Sequence, residues 1–322
     1  MMVGPLSAAE RLDHVAIGAQ APARVPLRFQ LGARPLATVT RRLIRLPLAL
    51  DDAVAGTLPV LPPLVAGADG YTIFSLRDDR IAALQAASHG MLAFERQRYT
   101  RYFIDLTTGH DAYLARLSAN TRAAMKRKAR RVAAACSGGI DVRGYRSPAE
   151  LEAFHAIAHA LAARTYQERL FGGGLPGDAS FLSDMLARGA ADAVRGWLLF
   201  VGDAPAAYLY SRIDAGVVRY DYVGHDPRFA DLSPGFVLQA EVLRALFAEG
   251  GLRRFDFTEG EGQHKRQFAT GGVGCADLLL LRPGIDNRVL IAAMAGFARA
   301  TRWGKAGARA LGLERVARRL RR

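Results

Sequence analysis

The chain has 322 residues, half of them hydrophobic and 23% charged, with 33 glycines and 14 prolines. Those proportions exclude a disordered or fibrous chain and suit a folded protein of two domains. The formal net charge is +14, and it is concentrated in two places. Arg116, Arg122, Lys126, Arg127, Lys128, Arg130 and Arg131 stand in one acid-free stretch, and residues 299–322 hold nine cations against Glu314. Local basicity needs local partners.

The longest apolar run, Val289 to Ala298, is ten residues, well short of the roughly 20 that span a bilayer. The first residues, MMVGPLSAAERLDH, lack a basic start followed by an apolar stretch, so no secretory leader is expected. The expected location is cytoplasmic, with peripheral attachment to the inner membrane face open. Cys136 and Cys275 have no CxxC spacing and read as free thiols.

In chain order, Val25 to Leu31 and Ile44 to Leu50 alternate with period two and predict strands, with a turn at 32–35. A proline-rich connection follows at 58–64. The spacing predicts a helix over 78–98, a strand over 99–106 and one long helix from Asp111 to Ala135. Ile140–Tyr145 reads as a short strand. Ser147-Pro148-Ala149-Glu150 opens a helix with a capping serine, an N1 proline and a favourable acid, and another helix covers 179–188. Residues 196–201, 206–213 and 217–224 predict an antiparallel meander. A loop then leads to a helix from Pro234 to Glu249, a strand at 254–257, a polar glycine-containing segment and a strand at 276–281.

Three clusters bear on chemistry. Ser233-Pro234-Gly235 opens a helix directly after strands, with serine expected as the N-cap. Exposed amides and the positive dipole end at such a start suit an anion, typically phosphate; an ordinary capped helix is the plainer alternative. The segment from Asp256 to Phe268 holds acids, His264, Lys265 and Arg266 just after a strand end, where loops commonly carry function. His264 titrates near neutrality and can take a proton from an amine. Finally, Tyr220, Asp221, Tyr222 and His225 sit on or after the middle strand, with both tyrosines expected on one face; packing is the plainer role for them. No P-loop, strand-GxGxxG-helix unit or GxSxG elbow is present. His155 and His159 lack the HExxH glutamate, and no metal site is expected.

Taken together, these elements resemble the GNAT superfamily, in the branch related to Fem-type peptidyltransferases and to the acetyltransferase domain of polysaccharide-biosynthesis proteins. Three signatures carry the likeness over residues 99–281. The first is Leu117-Ser118-Ala119-Asn120-Thr121-Arg122 followed by Lys126 to Arg131. The second is Gly224-His225-Asp226-Pro227 with Ser233-Pro234-Gly235, and the third is Asp256-Phe257 with His264-Lys265-Arg266-Gln267-Phe268. The sequence departs from the family where histidine precedes Lys265, where Phe268 replaces a tryptophan, and where Gly262 replaces a glutamate that Glu261 adjoins.

The resemblance implies an α/β (α+β) fold with a mixed, mostly antiparallel sheet flanked by helices. It implies an incomplete GNAT-like half at 1–98, a catalytic half at 99–285 and a basic amphipathic helix or tail at 286–322. The implied activity is N-acyl transfer from acyl-CoA, or an acyl-carrier-protein thioester, to a primary amine such as an amino-lipid or amino sugar, without a covalent intermediate and without metal. The donor's pantetheine would enter a gap between two splayed strands, with its pyrophosphate at Ser233, Pro234, Gly235 and Phe236. The base is expected among His264, Glu259 and Asp221, in that order. Lys265, Tyr222, His225 and Arg122 are expected to bind substrate. The basic stretch at 116–131 suits either the donor's phosphates or an acidic carrier protein, and an anionic membrane suits 299–322. Few aromatics punctuate 116–131, which argues against nucleic acid. The alternatives are a Fem-type transferase using aminoacyl-tRNA and a non-catalytic GNAT-fold binding protein.

Overall fold

The computed structural model describes residues 21–31, 34–136, 138–164, 174–260 and 262–310. Strands β1 (Ala23–Leu31) and β2 (Arg34–Pro47) lead to α1 (Leu50–Ala55), β3 (Gly70–Arg77), α2 (Ile81–Ala87) and β4 (Leu92–Asp105). Next come α3 (His110–Arg116), α4 (Ala119–Ala135), β5 (Asp141–Tyr145), α5 (Pro148–Ala162) and α6 (Ala179–Ala190). Strands β6 (Val194–Val201), β7 (Ala204–Asp214), β8 (Val217–Arg219) and β9 (Tyr222–His225) precede α7 (Pro234–Glu249). The order closes with β10 (Arg254–Asp256), α8 (Gln263–Phe268), β11 (Gly271–Leu281) and α9 (Ile285–Ala310). The fold is mixed α/β, with a mostly antiparallel sheet and flanking helices.

The described residues form two compact units, one from 21–99 and 274–310 and the other from 100–273. In the first, β1 pairs antiparallel with β2, β2 runs parallel to β3, and β3 pairs antiparallel with β11. Alternation along β11 sends Leu278 and Leu280 into one cluster with Ile44, Ile73 and Leu84. Leu279 and Leu281 go into another with Val25, Leu27 and the α9 residues Leu290 and Met294. Gly70 fits where no other residue does: its φ is 152° and a Cβ there would lie 2.0 Å from the Leu280 carbonyl oxygen. Gly70→Ala is expected to cost about 3 kcal/mol or more by thermal or urea unfolding.

Two predicted helices are corrected. The one expected over 78–98 stops at Ala87, Gly90 takes a left-handed φ of 75°, and β4 follows. There Leu92 and Phe94 turn to one cluster and Ala93 to the other, a strand's period of two. The helix expected from Asp111 to Ala135 breaks at Leu117, whose ψ of 148° is extended. Ser118 then caps α4 by accepting the Thr121 amide at 3.1 Å.

In the second unit, β10 pairs antiparallel with β4 and parallel with β8, and the antiparallel pairs β8–β7, β7–β6 and β6–β5 extend the sheet. The predicted meander is present. One face of this sheet packs on α7 through Val237, Leu238, Val242, Leu243 and Leu246, with Leu199, Leu209, Val218 and Phe255 beneath. The other face packs on α5 and α6 through Leu151, Phe154, Leu161 and Met185, against Leu198, Tyr208 and Tyr210. His155 and His159 stack 5.6 Å apart and bond the carbonyl oxygens of Pro176 and Leu175 at 2.7 and 2.9 Å. Among the described residues no group of three histidines, cysteines or acids is placed to hold a metal.

Candidate functional site: a fork between two parallel strands

Strands β8 and β10 run side by side for three residues and then separate. Val217, Val218 and Arg219 face Arg254, Phe255 and Asp256, and the Tyr220 amide donates the last bond, to the Asp256 carbonyl at 2.9 Å. Beyond it, β9 pairs with β7 from Tyr222 to His225. Phe257 follows β4 instead, donating to the Tyr102 carbonyl at 3.0 Å. The chain between β8 and β9 is pinched at Asp221, whose amide reaches back to the Arg219 carbonyl at 3.1 Å.

Charge fixes both prongs. Asp221 accepts the Arg212 guanidinium at 2.9 and 3.1 Å and its backbone amide at 3.2 Å, with Arg219 3.3 Å away. Burial alone would raise the Asp221 pKa, but Arg212 and Arg219 outweigh it and hold it at about 2. Asp256 pairs with Arg101 through bonds of 3.1 and 2.5 Å, both side chains at most 3% exposed. Burial again opposes ionisation, and Arg101 again wins, lowering the Asp256 pKa. Asp256 also accepts the Thr258 amide at 2.8 Å; Thr258 sits at a φ of 59° and turns the chain away.

The pinch at Asp221 reverses the expected facing of the tyrosines. Tyr220 lies with Phe255 and Phe257, on the α7 side. Tyr222 lies on the opposite face, 5.9 Å from Tyr210 and 5.7 Å from Phe181. A uniform strand would have put both on one side. Because the Asp226 backbone amide donates to the Ala206 carbonyl at 2.9 Å, the antiparallel alternation turns the backbone groups of Val223 and His225 away from β7. Those groups face the open side of the fork, where no strand pairs with them among the described residues.

At the end of the fork α7 begins, but not as predicted. Ser233 ends a short 3-10 turn, Pro227 to Leu232, in the left-handed region (φ 54°, ψ 51°), and its side chain makes no capping bond. Its carbonyl instead accepts the Phe236 and Val237 amides at 3.1 and 3.3 Å. The Gly235 amide has no acceptor among the described residues. Space beside Gly235 is open; the nearest atom to a Cβ built there is His225 Nδ1, at 3.9 Å. Lys128 of α4 lies over the Phe236 ring, its Nζ 3.9 Å from the centroid, and the charge joins the positive end of α7. Burial and the charges of Arg127 and Arg131 lower the Lys128 pKa, so an anion bound there would be drawn to a crowded cationic group.

Phe236 also packs on Phe268 at 4.8 Å, which brings α8 beside the first turn of α7. Lys265 is buried and its Nζ donates to the Glu259 carbonyl at 2.7 Å, shaping the loop. His264 is exposed on α8, its ring 6.2 Å from that of Tyr220. Although the residue as a whole is exposed, neighbouring protein partly desolvates the imidazole, and this together with the charge of Lys265 lowers its pKa, which favours the neutral ring. Arg122 lies elsewhere in role: its guanidinium donates to the carbonyls of Leu114, Ala115 and Leu117 at the end of α3. Glu261 is outside the described residues. The fork therefore gathers Tyr220, His225, Gly235, Phe236 and His264, while Asp221 and Lys265 act as its struts. Sequence pattern alone points to Lys128, within the basic run, but not to Arg212 or Arg219, and for Arg101 it offers only a charge inside an aromatic strand.

Residues 119–266, from the start of α4 into α8, match the family model of the acetyltransferase (GNAT) domain. No curated protein sequence matches the chain. Among solved structures it is similar to the C-terminal domain of a putative lysylphosphatidylglycerol synthetase from Agrobacterium fabrum, at 12% identity and a TM-score of 0.49, covering 71% of this chain and 72% of that one. It is also similar to FemX, at 11% identity and a TM-score of 0.48 over 81% and 88% of the two chains. A GCN5-related N-acetyltransferase from Kribbella flavida matches at 17% identity and a TM-score of 0.35 over 67% and 69%.

Proposed function

We propose that this chain, whose residues 119–266 match the GNAT acetyltransferase domain, is an N-acyltransferase that uses the fork as its donor site. The fork itself carries the reading: two parallel strands part at Tyr220, and α7 opens beside the gap with a free amide and a lysine. An acyl thioester fits this arrangement, with its arm along the unpaired edge of β9 and its phosphates at Gly235 and Lys128. Acyl-CoA supplies both parts; a carrier-protein thioester supplies the same arm with a single phosphate.

In the reaction, a neutral amine attacks the thioester carbonyl. The new C–N bond forms as the C–S bond breaks, and the sulfur leaves as thiolate or thiol. An edge amide of Val223 or His225 polarises the carbonyl oxygen as it gains charge. His264, whose lowered pKa favours the neutral ring, takes the proton that the amine nitrogen gives up. Asp221 is unsuited to that task because its pKa of about 2 and its two arginines keep it an anion in an ion pair. Glu259 remains the second candidate for the base.

The test is a panel of acyl-CoAs and acyl-carrier thioesters with amine acceptors, read by thiol release and product mass. Amine-dependent thiol release supports the reading, and cleavage only of aminoacyl-tRNA would replace it by the Fem-type alternative. The pH profile assigns the base. With the imidazole pKa lowered, the acid limb of kcat/KM is expected below the ordinary histidine value of about 6.5. His264→Gln is expected to remove that limb and lower kcat about a hundredfold, while the alkaline rise set by the amine stays in both.

A further inference from the structure

Helix α9 has two faces of different character. Asn287, Leu290, Met294 and Ala298 are buried, and Leu290 and Met294 pack with Val25, Leu27, Leu43, Leu279 and Leu281. At about 100° per residue, Ile285, Val289, Ala292, Gly296 and Trp303 fall within about 40° of one line on the opposite side. That side is open: Ile285 is 81% exposed, Val289 62% and Trp303 79%. The exposed arginines Arg288 and Arg299 border it. Asp286 is the helix's one acid, and from Ala300 onward the sequence adds Arg302, Lys305 and Arg309 before meeting Glu314.

Apolar and aromatic side chains this open, on a helix edged with arginine, need a partner that is oily and anionic at once. A second copy of the same face would set arginine against arginine. A bilayer with anionic headgroups satisfies both demands: the aliphatic side chains and the indole enter the boundary between headgroups and acyl chains, and the guanidiniums meet phosphate. No described helix is long and apolar enough to cross a membrane, so the contact is parallel to the surface. We propose that α9 lies on anionic lipid through Ile285, Val289 and Trp303, with Arg288 and Arg299 against the headgroups. This surface is independent of the acyl-transfer reading.

The test uses the full chain with vesicles of equimolar phosphatidylglycerol and phosphatidylcholine, and with phosphatidylcholine alone. Cosedimentation with the first and not the second is expected. Trp197 and Trp303 are the two tryptophans, and Trp197 is buried. A blue shift of exposed-indole emission, quenched by a bilayer-embedded nitroxide, therefore reports Trp303 without any substitution. The triple variant Ile285→Ser, Val289→Ser, Trp303→Ser and the pair Arg288→Glu, Arg299→Glu are each expected to weaken partitioning about tenfold or more, at unchanged melting temperature. Three results would overturn the proposal: no binding to anionic vesicles, binding that neither variant weakens while truncation after Ala310 abolishes it, or a lipid-free dimer that Trp303→Ser disperses.

Discussion

Gly235→Glu is expected to weaken acyl-CoA binding on the order of a hundredfold, the loss of one or two charge-assisted hydrogen bonds at about 1.5–3 kcal/mol each. The space beside Gly235 is empty apart from His225 Nδ1 at 3.9 Å, so the new side chain meets no backbone. Its carboxylate would occupy the position where the donor's phosphates face the free amide and Lys128. An acid in the first turn also favours the helix dipole, by about 0.3–1 kcal/mol. Thermal stability should therefore stay level or rise while donor affinity collapses, a combination that misfolding cannot produce. Gly235→Ala is the control, with donor affinity close to that of the parent. Titration calorimetry with acyl-CoA, alongside differential scanning calorimetry, separates the two effects.

Arg101→Leu is expected to be the most destabilising of the polar substitutions. It leaves the Asp256 carboxylate, 1% exposed, without its bidentate partner. Removing one member of a buried ion pair costs about 3–5 kcal/mol, and the residual attraction of Arg219 places the loss near the lower end. For a unit of this size about 3 kcal/mol lowers the melting temperature on the order of 10 °C. The sign with pH follows from the pair. In the parent the Asp256 pKa is lowered, so the pair stabilises above the carboxylate's unfolded pKa of about 3.9 and fades as pH falls below it. The gap between Arg101→Leu and the parent should therefore shrink in acid. The double variant Arg101→Leu, Asp256→Leu should recover part of the loss, because no charge is then left buried. Asp256 also bears the last rung between the prongs, so the single variant should lose donor affinity as well.

The residues behind these two substitutions differ in how legible they are in the sequence. The meander from β6 to β9, helix α7 with its bounds, and the strands β5 and β10 are visible because period-two runs are punctuated by turn residues and because Pro234 and Gly250 bracket α7. The helix start at Ser233-Pro234-Gly235 is legible in position but not in detail. Serine there reads as an N-cap, but the preceding 3-10 turn forces it into a left-handed conformation with its hydroxyl unused. The pinch at Asp221 was hidden for another reason. It depends on Arg212, nine residues away on the neighbouring strand, and local alternation carries no trace of a cross-strand ion pair. Arg101 was hidden more deeply still, since its partner lies 155 residues on. A charged residue within the aromatic run YTRYFID was the single hint. At Arg122 the family motif implies a substrate contact, and what the fold adds is that one guanidinium nitrogen closes the end of α3.

Amide hydrogen exchange across the fork, with and without a saturating acyl-CoA, addresses the donor site most directly. The expected result is protection of the Val223, His225 and Gly235 amides on binding, with the Tyr220 amide, already bonded to Asp256, unchanged. Donor binding that leaves Val223, His225 and Gly235 exchanging as before, or no binding of any acyl thioester, would contradict the assignment of the fork as the donor site.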